Sequence, residues 1–153
     1  MSQNEIRSAL DNVSTQELQH LITVSTGFID AYVIECYEKD PMLLPQNVVL
    51  SALDSATHVN TVEWHEVKLP VFSVSDPNRT LGVALVIEGD EDEQRFALMC
   101  NEMPKSIRLR ISEVIDDHQT IQDDTILQYV LIGDSKYHVP NLSRIQTKIG
   151  LSA

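Results

Sequence analysis

From Phe28 onward the chain breaks into short runs in which apolar and polar side chains alternate, each closed by Pro, Gly, Asn or Asp. A period of two is the signature of a strand with one face buried, and such closely spaced turns leave no room for crossover helices. The run Phe28-Ile-Asp-Ala-Tyr-Val-Ile-Glu-Cys-Tyr37 reads as a strand, Lys39-Asp40-Pro41 as a turn, and Met42-Leu-Leu44 as a short return strand stopped by Pro45. Residues 47–53 (NVVLSAL) fit either a strand or one to two helical turns, and periodicity leaves both open. Residues 62–68 alternate as one strand, and Leu69-Pro-Val-Phe-Ser-Val74 is another. Residues 82–87 and 95–100 flank an acidic connection over 88–93, which reads as a solvated hairpin loop. Further on, Ile107, Leu109 and Ile111 point inward while Arg108 and Arg110 point out, and residues 126–132 and 136–139 flank the turn Gly133-Asp-Ser135.

Helical periodicity is confined to the two ends. Over residues 1–26 it is carried by Ile6, Leu10 and Val13, then by a Ser14-Thr-Gln-Glu17 capping box followed by Leu18, Leu21 and Ile22, with Gly27 as the stop. At the other end Asn141 caps a helix whose apolar stripe is Leu142, Ile145 and Ile149. With no strand–helix–strand alternation, a parallel sheet is disfavoured and small antiparallel barrels are expected.

A chain of 153 residues, 42% hydrophobic and 22% charged, buries a core without staples. Eleven Lys and Arg face twenty-three Asp and Glu, a net charge of −12. Nucleic acid and anionic membranes are poor partners for such a chain, which directs attention to proteins or neutral small molecules. The two cysteines form no disulfide framework, the N-terminus lacks a basic segment followed by an apolar one, and no apolar run approaches membrane-spanning length. These features imply a cytoplasmic protein.

The stretch FALMCNEMPKSIRLRI (residues 96–111) poses the chemical question, because it sets Cys100 between an apolar run and a Met-Pro-Lys break. A reactive thiolate needs a nearby His, base or helix N-terminus, and none is close in sequence. Phe96, Leu98 and Cys100 share one face of a strand, so Cys100, like Cys36, reads as core. Glu63-Trp-His-Glu66 is the best metal or acid–base candidate, since Glu63 and His65 would share one face of an extended strand. Two ligands fall short of the three a catalytic zinc takes. Asp116-Asp-His118 and Asp123-Asp124 read as a solvated acidic loop lacking the ligand order of a calcium loop. Trp64, the only tryptophan, is either a core anchor or an interface hot spot. Met99 and Met103, beside Pro104, make a soft apolar corner suited to core filling or to an adaptable partner surface.

The order of segments resembles the chemotaxis coupling-protein (CheW-like) family. Tyr32-Val-Ile-Glu-Cys-Tyr, Leu43-Leu-Pro-Gln-Asn-Val-Val49 and Lys68-Leu-Pro-Val-Phe-Ser-Val74 are similar to its first half. Residues 95–108 and 132–145 are similar to its later strands, closing hairpin and C-terminal helix. The likeness covers residues 29–150, and Phe-x-Leu followed by Met-Pro-Lys-Ser-Ile-Arg resembles the accessory ChpC-type members of type IV pilus (twitching motility) clusters. The family's Asn-x-Arg-Gly segment is absent, its place taken by residues 60–67.

The resemblance implies a mainly β fold of two small, five-stranded, SH3-like barrels, intertwined within a domain over 28–153; the helical extension over 1–27 lies outside the resemblance and is read from periodicity alone. It implies a non-enzymatic adaptor, without cofactor or metal, that couples the cytoplasmic tip of a methyl-accepting chemoreceptor to the regulatory domain of a CheA-like histidine kinase. By position the resemblance places Val49, Ser51, Met99 and Met103 on partner surfaces, and Trp64 joins them on physical grounds. Two other classes compete: a small metal-dependent hydrolase using Glu63, His65 and the Asp116–His118 loop, and an SH3-like module with an unrelated partner.

Overall fold

The computed structural model describes residues 27–89 and 94–150, so the helical extension expected over residues 1–27 lies outside the described residues except for Gly27. The described chain runs through β1 (Phe28–Cys36), β2 (Lys39–Pro45), β3 (Val49–Ala56), β4 (Thr61–Trp64), β5 (Val67–Ser73), β6 (Leu81–Ile87) and β7 (Phe96–Cys100). It continues through β8 (Lys105–Arg110), β9 (Val114–Asp117), β10 (Ile126–Ile132), β11 (Ser135–Pro140) and a single helix α1 (Leu142–Lys148). The fold is mainly β, as expected.

The strands form two sheets, a six-stranded one in the order β8-β1-β2-β11-β10-β9 and a five-stranded one in the order β3-β6-β7-β5-β4. The five-stranded sheet is built from one continuous stretch, and the six-stranded sheet from the segments on either side of it. Most pairings are antiparallel. Two are parallel, and the alternation pattern gave no sign of them: β5 with β7, and β2 with β11 through the single pair Met42 and His138.

The main core lies between the sheets and includes Ile34, Leu44, Leu85, Phe96, Leu98 and Ile111, all at most 1% exposed. Removing such side chains from water contributes about 1.5–3 kcal/mol each. A second, smaller cluster holds Val62, Ala84, Ala97 and Met99, with Leu53, Val59 and Val71 packed on it. Leu53 belongs to β3 and Val62 to β4, the two opposite edges of the five-stranded sheet. Both edges reach one cluster only if the sheet curls around it into a half-barrel. β7 is central to both cores: Phe96, Leu98 and Cys100 enter the first, Ala97 and Met99 the second, so all five of its residues are buried.

Several local expectations change. The first hairpin turns at Tyr37 and Glu38 rather than at Lys39-Asp40-Pro41, because Cys36 pairs with Lys39. Glu38 takes the left-handed conformation that so tight a loop needs, with φ +55°. Residues 62–68 are not one strand. Trp64 pairs directly with Val67, and His65 and Glu66 form a two-residue loop with φ of +50° and +65°. Positive φ at both positions defines a type I′ turn, usually made by Asn-Gly. The ambiguous segment at 47–53 proves to be both options in turn, a 3₁₀ turn at Gln46–Val48 and then β3. Asp116 and Asp117 belong to β9 and not to a loop. The C-terminal helix forms as expected, with Asn141 Oδ1 accepting from the Arg144 N–H at 3.2 Å.

Candidate functional site

The connection between β7 and β8 carries the Met-Pro-Lys break. Asn101 anchors it to the loop before β6: its Oδ1 accepts from the Asp76 N–H at 2.8 Å, and its backbone carbonyl accepts from Arg79 Nη2 at 2.8 Å. A preset corner results, over a cavity of about 280 Å³ lined by Val33, Glu35, Cys100, Met103 and Lys105 among others. Met103 stands at its lip, 51% exposed. Met99, by contrast, is fully buried at 0% exposure within the smaller core, so its expected place on a partner surface is corrected. The strand alternates strictly, and β7 has a core on each side, so the residue next to Cys100 faces the curl of its own sheet.

Cys100 forms part of the cavity wall without offering a nucleophile. Its Sγ lies 3.3 Å from the Val83 carbonyl oxygen. Burial foremost, with the neighbouring Cys36 adding to it, pushes its thiol up to about 12. Cys36 is raised to about 11, again chiefly by burial. Neither holds appreciable thiolate near neutrality.

The second surface is the tip of the β4–β5 hairpin. Trp64 is half-buried, which matches neither a full core anchor nor a free surface residue. The Arg95 guanidinium carbon sits 5.5 Å from the centroid of its ring, within cation–π range, and the His65 ring packs against it with centroids 4.2 Å apart. Across the ladder Val67 is 56% exposed. The tip therefore shows an aromatic edge and an aliphatic side chain held by a rigid two-residue loop.

Val49 and Ser51 lie on β3, an edge strand, where both are half-buried. The structure does not gather the five expected partner residues into one patch. Val49 and Ser51 stand on a sheet edge, Trp64 at a hairpin tip, Met103 at a corner and Met99 in the core.

The acid–base alternative loses its geometry. His65 is in the turn and not on the strand with Glu63, while Asp116 and Asp117 lie on β9 of the other sheet. Among the described residues no group of three or more His, Cys, Asp or Glu is placed to hold a metal ion.

Sequence reasoning passed over one polar site. A cavity of about 420 Å³ is lined by Glu38, Lys39, Asp40, Ile126, Tyr129 and His138. His138 is only 3% exposed, and its Nδ1 lies 2.8 Å from the Asp40 carbonyl oxygen. A carbonyl only accepts, so the ring proton sits on Nδ1. Burial foremost, aided by the charge of Lys39, holds the imidazole below its usual range against the opposing pull of the Asp40 carbonyl and the nearby carboxylates. Lys39 is in turn paired with Asp123 at 2.6 Å, and the bonds that Lys39 and Thr125 donate keep the Asp123 carboxyl well below the usual range despite its partial burial. Because His138 is also the β11 residue paired with β2, this neutral ring pins the seam between the two halves of the six-stranded sheet. The sequence offered one signal, a histidine inside the apolar run Tyr-His-Val-Pro.

Comparison with protein-family models and with curated proteins finds no match. Among the described residues no helix is long and apolar enough to cross a membrane.

Proposed function

We propose that the chain is a non-enzymatic adaptor of CheW-like type. In this reading the curled five-stranded sheet and the opposing six-stranded sheet correspond to two intertwined SH3-like barrels. The adaptor couples a chemoreceptor's cytoplasmic tip to the regulatory domain of a CheA-like histidine kinase, in a pathway that controls type IV pili and twitching motility. It works in the cytoplasm, recruited to membrane-associated chemosensory arrays.

One observation carries the reading. The two exposed apolar surfaces lie at opposite ends of the same buried strand, β7. Arg95, which holds the Trp64 ring, immediately precedes β7, and the Met103 corner immediately follows it. Five strand residues at about 3.3 Å each set the two ends roughly 16 Å apart. An adaptor needs two sites that can be filled together and are rigidly connected, and a strand packed on both faces is as stiff a connection as a small domain offers. Methionine and tryptophan are also the residue types that suit such surfaces, the first by adapting and the second by anchoring.

The test is a pull-down of the kinase regulatory domain and of receptor-tip fragments by the purified chain. Retention of both supports the adaptor. Retention of neither removes it.

A further inference from the structure

Each of the two open sheets has two edges, and an unpaired edge strand is a template for pairing that proteins usually blunt with charge or by shortness. Three of the four edges here are blunted. β8 exposes Lys105, Arg108 and Arg110, β9 has four residues of which two are Asp116 and Asp117, and β4 has only four residues. β3 is different. It is eight residues long, VLSALDSA, with Asp54 as its only charge and with Leu50 37% exposed. Among the described residues its outer edge has no strand partner.

The edge also borders a gap. β3 and β4 are joined only by residues 57–60 and both send side chains into the small core, yet they are not neighbours in the sheet. The half-barrel is therefore open along the side where its small cluster comes nearest to the surface.

We infer that the free edge of β3 accepts an extended, lysine- or arginine-bearing segment of another protein, which adds a strand at this opening. Charge selects the occupant. β3 and β4, the strands that border the gap, contain no Lys or Arg, while Asp54 and Glu63 on them are acidic and exposed. A second copy of the chain is a poor occupant, because each copy carries a net charge of −12 and its own β3 brings no Lys or Arg to meet Asp54. A segment with alternating apolar and basic side chains supplies the backbone hydrogen bonds, fills the apolar side and pairs with Asp54. Val49 and Ser51, which the resemblance places on partner surfaces, lie on this strand, but recognition by backbone and charge does not involve Trp64 or Met103, so this proposal and the adaptor reading fail by different tests.

The probe is a synthetic peptide alternating valine and lysine, compared with a proline-interrupted peptide of equal charge and with a glutamate version. Binding to the full chain is followed by fluorescence anisotropy, and the site by amide hydrogen exchange. The lysine peptide should bind, slow exchange in Val49–Ala56, and lose about tenfold in affinity to Ala52→Lys, which places a like charge on the exposed edge. The other two peptides should not bind. Equal binding of the proline peptide, protection outside β3, indifference to Ala52→Lys, absence of binding, or a chain that already dimerises through β3 would each overturn the proposal. Ala52 is exposed, so melting of the Ala52→Lys variant should match that of the unmodified chain and keep the comparison valid.

Discussion

The loop at His65 and Glu66 stores conformational energy that two substitutions should release. Both residues are left-handed, at φ +50° and +65°, and a side chain there costs roughly 1–2 kcal/mol per residue. Replacing Glu66 with Gly removes the Cβ clash but returns about 0.5–1 kcal/mol as extra freedom of the unfolded chain. Replacing His65 with Asn recovers a smaller amount, offset in part by loss of the ring contact with Trp64 at 4.2 Å. The pair His65→Asn and Glu66→Gly should gain about 1 kcal/mol, or about 2–4 °C in melting temperature for a domain of this size. Glu66→Ala is the control, because alanine keeps the Cβ and should gain nothing. Thermal and urea melts of the single and double variants measure the effect. If Gly and Ala at position 66 behave alike, the loop is not the strained type I′ turn described and the reasoning fails. If stability rises while partner binding weakens, the strained residues are kept for recognition.

Other consequences follow from single contacts. His138 is held neutral in the fold, whereas in the unfolded chain it takes up a proton as pH falls through about 6.5. Stability should therefore be fully present above that pH and decline as pH drops below it, by at most about 1.4 kcal/mol per pH unit from this group, and the slope should flatten in His138→Asn. Cys36 and Cys100, with thiols at about 11 and 12, should resist alkylation at pH 8 until urea unfolds the chain; rapid labelling of the native protein would refute their burial. Gly82 lies so close to β7 that an added Cβ would sit 2.3 Å from the Cys100 carbonyl oxygen, so Gly82→Ala should cost on the order of 2–3 kcal/mol in a urea melt.

What the sequence made legible is what rests on a local pattern. Ile107 and Leu109 alternate with Arg108 and Arg110 because β8 is a charged edge with one wet face, and alternation reports that condition directly. Asn141 announced its helix because capping is a contact of four residues or fewer. Met99 could not be placed, since β7 is buried on both faces and every side chain in such a strand is apolar. The His65-Glu66 turn was hidden because the pair lacks the Asn-Gly or Asp-Gly signature of such a turn, so the surrounding ladder imposes the conformation. β9 was missed because, of its four residues, only Val114 is buried and two are aspartates. The candidate surfaces were legible residue by residue in Trp64 and Met103, but their relation through β7 depends on the parallel pairing of β5 with β7, which joins segments distant in sequence.

The adaptor account rests on two surfaces at opposite ends of β7 that are filled at the same time. Titration of a preformed complex of the chain and the kinase regulatory domain with the receptor-tip fragment, followed by sedimentation, tests this directly. A ternary complex should form. Trp64→Ala and Met103→Glu should each remove a different partner, weakening it by about thirtyfold or more and leaving the other in place. Displacement of one partner by the other, or loss of both partners from either folded variant, would contradict the account.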